Sequence, residues 1–274
     1  MMRHPLVTGA AGALVIAFSA PLVRLAGVSP STAAFYRCAY ALPALGFLAV
    51  SERKRFGPRP IGQRRLAWIA GGFFALDLIF WHHAIEEVGA GLGTVLGNLQ
   101  IVFVALLAWV ILKERPGTRV FVAVPLALVG VVLISGALGA GAYGRNPALG
   151  VLFGTLTALT YSGFLLILRG GNKDLRRPGG PLFDATLAGA ACILVLGTAL
   201  SDLHLAPTWP AHGWLILLGL TSQVVGWVLI SMSLPRLPAA ITSIVLTLQP
   251  VGSVALGILM FDEDPSLSQF LGVA

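Results

Sequence analysis

The sequence is short of charge. Only 11% of its 274 residues are Asp, Glu, Lys or Arg, roughly half the ~25% usual in a soluble globular domain, so water is excluded as its solvent. It is short of cysteine too. Cys38 and Cys192 both lie inside apolar blocks and read as small core residues, which excludes a disulfide-stapled secreted scaffold. Neither H-E-x-x-H nor G-x-S-x-G occurs, so an intramembrane hydrolase would lack its usual metal or nucleophile signature. Gly139, Gly141 and Gly144 have dinucleotide-loop spacing, but they follow an apolar helix rather than a strand, which argues against a nucleotide site. The formal net charge of +7 comes without a soluble domain to carry a basic face, so nucleic acid is not an expected partner.

What remains is apolar sequence, 57% of the chain, in blocks about twenty residues long, the length of helix that crosses ~30 Å of hydrocarbon. Charged and Pro/Gly-rich breaks place helices near 6–26, 30–50, 66–86, 90–112, 118–136, 147–168, 181–200, 212–233 and 237–260. A tenth begins near Ser266, and the nine residues left from there reach only about 13 Å, so the chain is expected to stop inside it. The first block ends in AFSA, faintly like a signal-cleavage site, yet it has a counterpart later in the chain and is read as a retained helix.

Basic residues set the expected orientation. An N-terminus in the cytoplasm puts 15 of the 18 Lys and Arg on that side, including the run Arg53, Lys54, Arg55, Arg59, Arg64 and Arg65; only Arg24 and Arg145 fall outside, and Arg37 lies within a helix. Both termini are therefore expected to be cytoplasmic.

Shifting the chain by 149 positions lays 88–116 on 237–265 without a gap. Ala90, Leu99, Gln100, Glu114 and Pro116 meet Ala239, Leu248, Gln249, Glu263 and Pro265. The second copy stands five helices after the first, an odd number, so they enter the membrane from opposite sides. The charges agree, because Lys113 and Arg115 flank Glu114 where Asp262 and Asp264 flank Glu263. The expected fold is an all-α integral membrane protein of ten transmembrane helices, residues 1–144 forming one five-helix repeat and 145–274 a second, inverted one. Such repeats recur in secondary transporters, with the substrate site at their seam near the midplane.

Ten spans, Arg37 in the second helix, and fourth and ninth helices ending in KERP and EDP together resemble the drug/metabolite transporter superfamily and its EamA-type members. Within it, the YddG-type amino-acid exporters are the nearest functional resemblance. The resemblance implies export of small metabolites, amino acids first, with nucleotide sugars or drugs as the alternative. From another class, a membrane-embedded enzyme or an assembly subunit is the competing reading. Many members carry proline where this chain has Ile101, while Pro250 is kept in the second half, so a kink is expected in one half only.

Ionisable residues inside spans are costly and read as functional. Asp77 is eleven residues into its helix and shares a face with Phe73, Phe74, Phe80 and Trp81, a setting for a substrate ammonium. Arg37, with Tyr40 one turn further in, offers a fork for a carboxylate. The bland alternatives are that Arg37 snorkels outward or pairs with Asp77 as a helix clamp. His82 and His83 join Asp77 as proton-coupling candidates, and their adjacency lets at most one face a cavity. Asn98 and Gln100, Thr157 and Tyr161, and Gln223 and Trp227 are candidate cavity walls. No cofactor or metal is expected. The expected partners are a small-molecule substrate and the lipid bilayer of a bacterial-type inner membrane, the protein working as a monomer or weak homo-oligomer.

Overall fold

A computed structural model describes residues 4–112, 145–172, 174, 176–233, 236–237, 245–262 and 264, with a few isolated residues elsewhere. Most of the expected fifth helix, the glycine motif at 139–144, the first turns of the ninth helix and most of the tenth lie outside the described residues.

The described residues form helices α1 (Pro5–Ala17), α2 (Ser19–Ala26), α3 (Pro30–Phe56), α4 (Ile61–Gly97) and α5 (Gln100–Leu112) in the first half. The second half supplies α6 (Pro147–Gly171), α7 (Gly179–Ala199), α8 (Ala211–Leu218), α9 (Trp227–Ser233) and α10 (Leu248–Phe261). Among them, six stretches are long and apolar enough to cross a membrane: Pro5–Ala26, Pro30–Phe56, Ile61–Ala90, Pro147–Gly171, Gly179–Ala199 and Ala211–Ser233. Local sequence explains the starts. Pro5, Pro30 and Pro147 occupy first turns, where a missing N–H costs nothing, and the Asn146 side chain accepts from Leu149 N.

Three irregularities of the backbone have physical causes. The third and fourth spans are separate, as expected, and meet in a sharp turn inside the α4 range at Gly89, whose φ of 81° and ψ of 171° suit only a residue without a Cβ. The turn folds the chain back, and a Cβ on Gly93 would lie 3.1 Å from Ile85 N.

The fourth span breaks again at Asn98 and Leu99, and the second half breaks at Thr247. These positions are repeat equivalents, so the break is present in both halves and the expectation of a kink in one half only is corrected. Proline is not required for it. In the first half the turn tightens through i→i−3 bonds, Leu99 N to Leu96 O at 3.1 Å and Ile101 N to Asn98 O at 3.1 Å, while Asn98 Nδ2 donates to Thr94 O. The eighth span, finally, is interrupted by a π-helical stretch, Gly219–Gly226, between α8 and α9.

Helix pairing maps onto itself when the halves are exchanged. The first span packs on the eighth, as the sixth packs on the third; the third meets the seventh, as the eighth meets the second; the fourth meets the sixth, as the ninth meets the first. The second and seventh meet each other. Small residues make the contacts close, as lipid provides no hydrophobic drive between helices. A Cβ on Gly12 would sit 2.9 Å from Gly226 O, and one on Gly219 would sit 3.1 Å from Arg37 O.

Candidate functional site

A central cavity of about 60 Å³ lies where the first, second, third, fourth, sixth, eighth and ninth spans converge. One face of α4 supplies Phe74, Asp77 and Trp81 at helical spacing, and the chain beyond the Gly89 bend adds Thr94 and Asn98. α6 contributes Thr157 and Tyr161 one turn apart, α9 gives Trp227, α10 gives Gln249, and Arg37 enters from α3. At ~10–15 Å³ of accessible volume per water, the space holds a few waters.

Both charges of the cavity are buried: Arg37 is 3% exposed and Asp77 6%. Both line the cavity, but they form no ion pair with each other. Arg37 Nε donates to Gln223 Oε1 at 3.1 Å, and Gln223 Nε2 donates to Thr186 Oγ1 at 3.0 Å, a chain that ties the second, eighth and seventh spans together. The Arg37 guanidinium lies 5.7 Å from the Trp81 ring centroid and 6.0 Å from that of Phe74. Its two terminal nitrogens bond to none of the described residues, and neither does the Asp77 carboxylate.

The neutral polar groups around these charges are also unused. Asn98 Oδ1, Thr157 Oγ1, Trp227 Nε1 and Gln249 Nε2 are buried without hydrogen-bond partners. The Tyr161 hydroxyl is likewise unpartnered; Gln249 is nearby but outside hydrogen-bonding geometry. Buried polar atoms are ordinarily satisfied, so such a concentration at one point marks a place built for a polar guest. An aromatic cluster backs it. Phe164 lies 5.0 Å from Trp227 and 4.7 Å from Phe74, centroid to centroid.

Of the residues expected from sequence, Asp77, Arg37, Trp81, Asn98, Thr157, Tyr161 and Trp227 converge on this cavity. Gln223 lies behind Arg37 rather than on the wall. In the π stretch, bonding runs i→i+5, so residues 223 and 227 do not stack as they would in an α-helix. Tyr40 points elsewhere, its hydroxyl bonded to His212 Nδ1. Gln100 is buried beside α6, its carbonyl accepting from Ser162 Oγ. His82 and His83 turn Nδ1 to the carbonyls of Leu78 and Ile79, and the His83 ring packs on Phe153. Sequence reasoning missed Gln249 as a wall residue, and the available signal was its repeat relation to Gln100.

Two larger cavities lie toward the ends of the bundle. The one of about 560 Å³ at the end assigned to the outside is lined by His82, Glu86, Glu87, Arg145 and Asp202. There Arg145 Nη2 and Nε grip Glu87, which holds the guanidinium pKa above its usual value. The opposite cavity, about 290 Å³, is rimmed by arginines. Near it the Arg176 guanidinium, then Arg177, hold the Asp174 carboxyl below the usual carboxylate range. Among the described residues, no cluster of three His, Cys, Asp or Glu could hold a metal ion.

A multi-pass helical bundle with two exchangeable halves and a polar cavity at their seam is the architecture of an inverted-repeat membrane carrier. The comparisons specify which. The EamA-like transporter family model matches residues 5–136 and again 148–274, and the chain belongs to that family, an all-α, two-repeat membrane family of the drug/metabolite transporter superfamily. It is 25% identical over 195 residues to the uncharacterised transporter YwfM of Bacillus subtilis (strain 168), matching 70% of this chain and spanning 63% of that relative's length. A solved crystal structure, 17% identical, superposes with a TM-score of 0.67 over 98% of this chain and 92% of its own, a likeness of fold.

Proposed function

We propose that this transporter exports small amino acids, exposing the central cavity alternately to the two sides of a bacterial-type inner membrane with both termini in the cytoplasm. One observation carries the reading: a buried guanidinium and a buried carboxyl group, those of Arg37 and Asp77, face the same cavity without pairing. That separation suits a zwitterion. The carboxylate would take the free guanidinium nitrogens, the ammonium would take Asp77 beside Phe74 and Trp81, and the unpartnered side chains would meet the substrate's remaining polar atoms. Occupancy would then neutralise both charges at once, which makes the loaded carrier easier to reorient than the empty one. Asp77 is the proton-coupling candidate favoured by position, because both histidines are engaged with main-chain carbonyls away from the cavity.

Proteoliposomes test this with a panel of labelled amino acids. The expected result is saturable flux above that of empty vesicles, with a tenfold or greater loss of apparent affinity in Arg37→Ala and Asp77→Asn, since a charge-assisted hydrogen bond is worth about 1.5–3 kcal/mol. Flux equal to empty vesicles for every amino acid, or unaffected by both substitutions, refutes the substrate assignment. Competition by nucleotide sugars or cationic drugs alone would point to the other substrate class. Repeating the assay with an imposed pH gradient reports on proton coupling, which Asp77→Asn should abolish.

A further inference from the structure

The arginine-rimmed cavity at the end assigned to the cytoplasm has more cation than the protein itself uses. It lies between the last turns of α3, the 57–60 loop, and the first turns of α4 and α7. Two carboxylates line it, and both are committed. Glu52 caps α7, accepting from Gly179 N at 2.8 Å and Gly180 N at 2.7 Å. Asp184 is held by Arg59 Nη2, which also donates to Gly180 O.

Four arginines line the same space, and their donors are only partly taken. Arg177 is held by Asp174 and Gly57 O. Arg64 reaches Asp184 only at 3.5 Å, and its side chain is 48% exposed. Arg59 Nη1 is buried with no partner, and the Arg53 guanidinium makes no hydrogen bond or ion pair with any described residue. Beside these donors the wall is apolar. Val50 and Phe183 line it, and Phe47, Ile61 and Trp68 are exposed close by in sequence on the same helices.

We propose that this cavity binds the phosphate of an anionic phospholipid headgroup, with the acyl chains lying along the neighbouring apolar surface. Arginine forks match phosphate oxygens in pairs, and basic pockets between helix ends on the cytoplasmic side are suited to anionic headgroups. A free phosphate ion would answer the arginines but leave the apolar wall bare. Only a molecule with both chemistries covers both surfaces.

The test is lipid retention by the full chain, purified in detergent, with phosphatidylglycerol or phosphatidylcholine added at equal mole fraction. Phosphatidylglycerol should be retained preferentially and raise the melting midpoint above that in phosphatidylcholine. In Arg53→Gln/Arg64→Gln, phosphatidylglycerol affinity should fall about 30-fold, with the midpoint in phosphatidylcholine unchanged. Arg59 is left intact because it holds Asp184. Equal retention of the two lipids overturns the proposal, and so does an undiminished phosphatidylglycerol effect in the double variant. A full melting shift from inorganic phosphate alone also overturns it, by assigning the site to a soluble anion. Should the double variant fail to fold, Arg53→Gln alone is compared with Arg55→Gln, a substitution outside the cavity. Equal phosphatidylglycerol affinity in those two singles counts against the site.

Discussion

Removing the Gln223 amide should expose how the cavity's cation is held. Gln223 is fully buried, accepts from Arg37 Nε and donates to Thr186 Oγ1. Gln223→Leu keeps comparable bulk but strands a charged donor and a hydroxyl. Leaving a buried polar group unsatisfied costs ~1–3 kcal/mol, and more when it is charged, so the loss should be about 2–4 kcal/mol. Arg37→Met removes the charge that needs holding, so Gln223→Leu on that background should cost less, only the part due to Thr186. Gln223→Glu keeps an acceptor and adds an opposite charge beside Arg37, and should be milder than Leu.

The assay is reversible unfolding in mixed micelles, run as a double-mutant cycle. Coupling of at least ~1 kcal/mol between Arg37→Met and Gln223→Leu is expected. Additivity within ~0.3–0.5 kcal/mol would refute the reasoning, as that is how sites without shared partners behave. In transport, Gln223→Leu should weaken apparent affinity, because a released guanidinium is no longer aimed at the cavity.

Packing makes a second prediction. Gly12→Val should destabilise by about 1–3 kcal/mol, since its Cβ would press on a main-chain oxygen that cannot yield, whereas Gly72→Ala, with nothing within 4 Å, should be neutral or stabilising by thermal melting. Asn98→Ala loses one bond to Thr94 O and an acceptor on the cavity. It should cost ~0.5–1.5 kcal/mol in unfolding and more than that in apparent substrate affinity. Equal losses in the two measurements would make Asn98 a helix-turn residue alone.

Much of the frame was legible because lipid imposes it. A helix in hydrocarbon must satisfy its own backbone and be about twenty apolar residues long, and the charge of Asp77 and Arg37 was conspicuous against that background. The gap-free repeat likewise foretold the exchangeable pairing of helices. Positions set by backbone irregularity were not legible. Gly89 turns the chain sharply through a positive-φ step, Asn98 breaks a helix without proline, and the π stretch turns Gln223 away from Trp227. Each irregularity depends on main-chain geometry that apolar periodicity does not record. Tyr40 was misplaced for another reason: its partner, His212, is 172 residues away, beyond the reach of any spacing rule.

The repeat also explains why the cavity's charge comes from one half. Pro30 to Asn98 and Gly179 to Thr247 both span 68 positions between a helix start and the following break, so the shift of 149 holds throughout that interval. It pairs Arg37 with Thr186, Asp77 with Gly226 and Phe74 with Gln223. Arg37 and its mate Thr186 touch the same Gln223 amide, which places both beside the axis relating the halves. A strictly repeated sequence would set two guanidinium groups there, and like charges a few ångströms apart in a low-dielectric interior repel by several kcal/mol at an effective dielectric near 20. The halves must therefore diverge chemically where they meet, while staying alike in their frame. Thr186→Lys and Thr186→Glu separate charge from bulk at this point. The glutamate can pair with Arg37 and should preserve a folded, monodisperse protein, whereas the lysine should not. If the two variants are lost to the same degree in detergent size-exclusion profiles, steric crowding, and not charge, is what forbids symmetry at the axis.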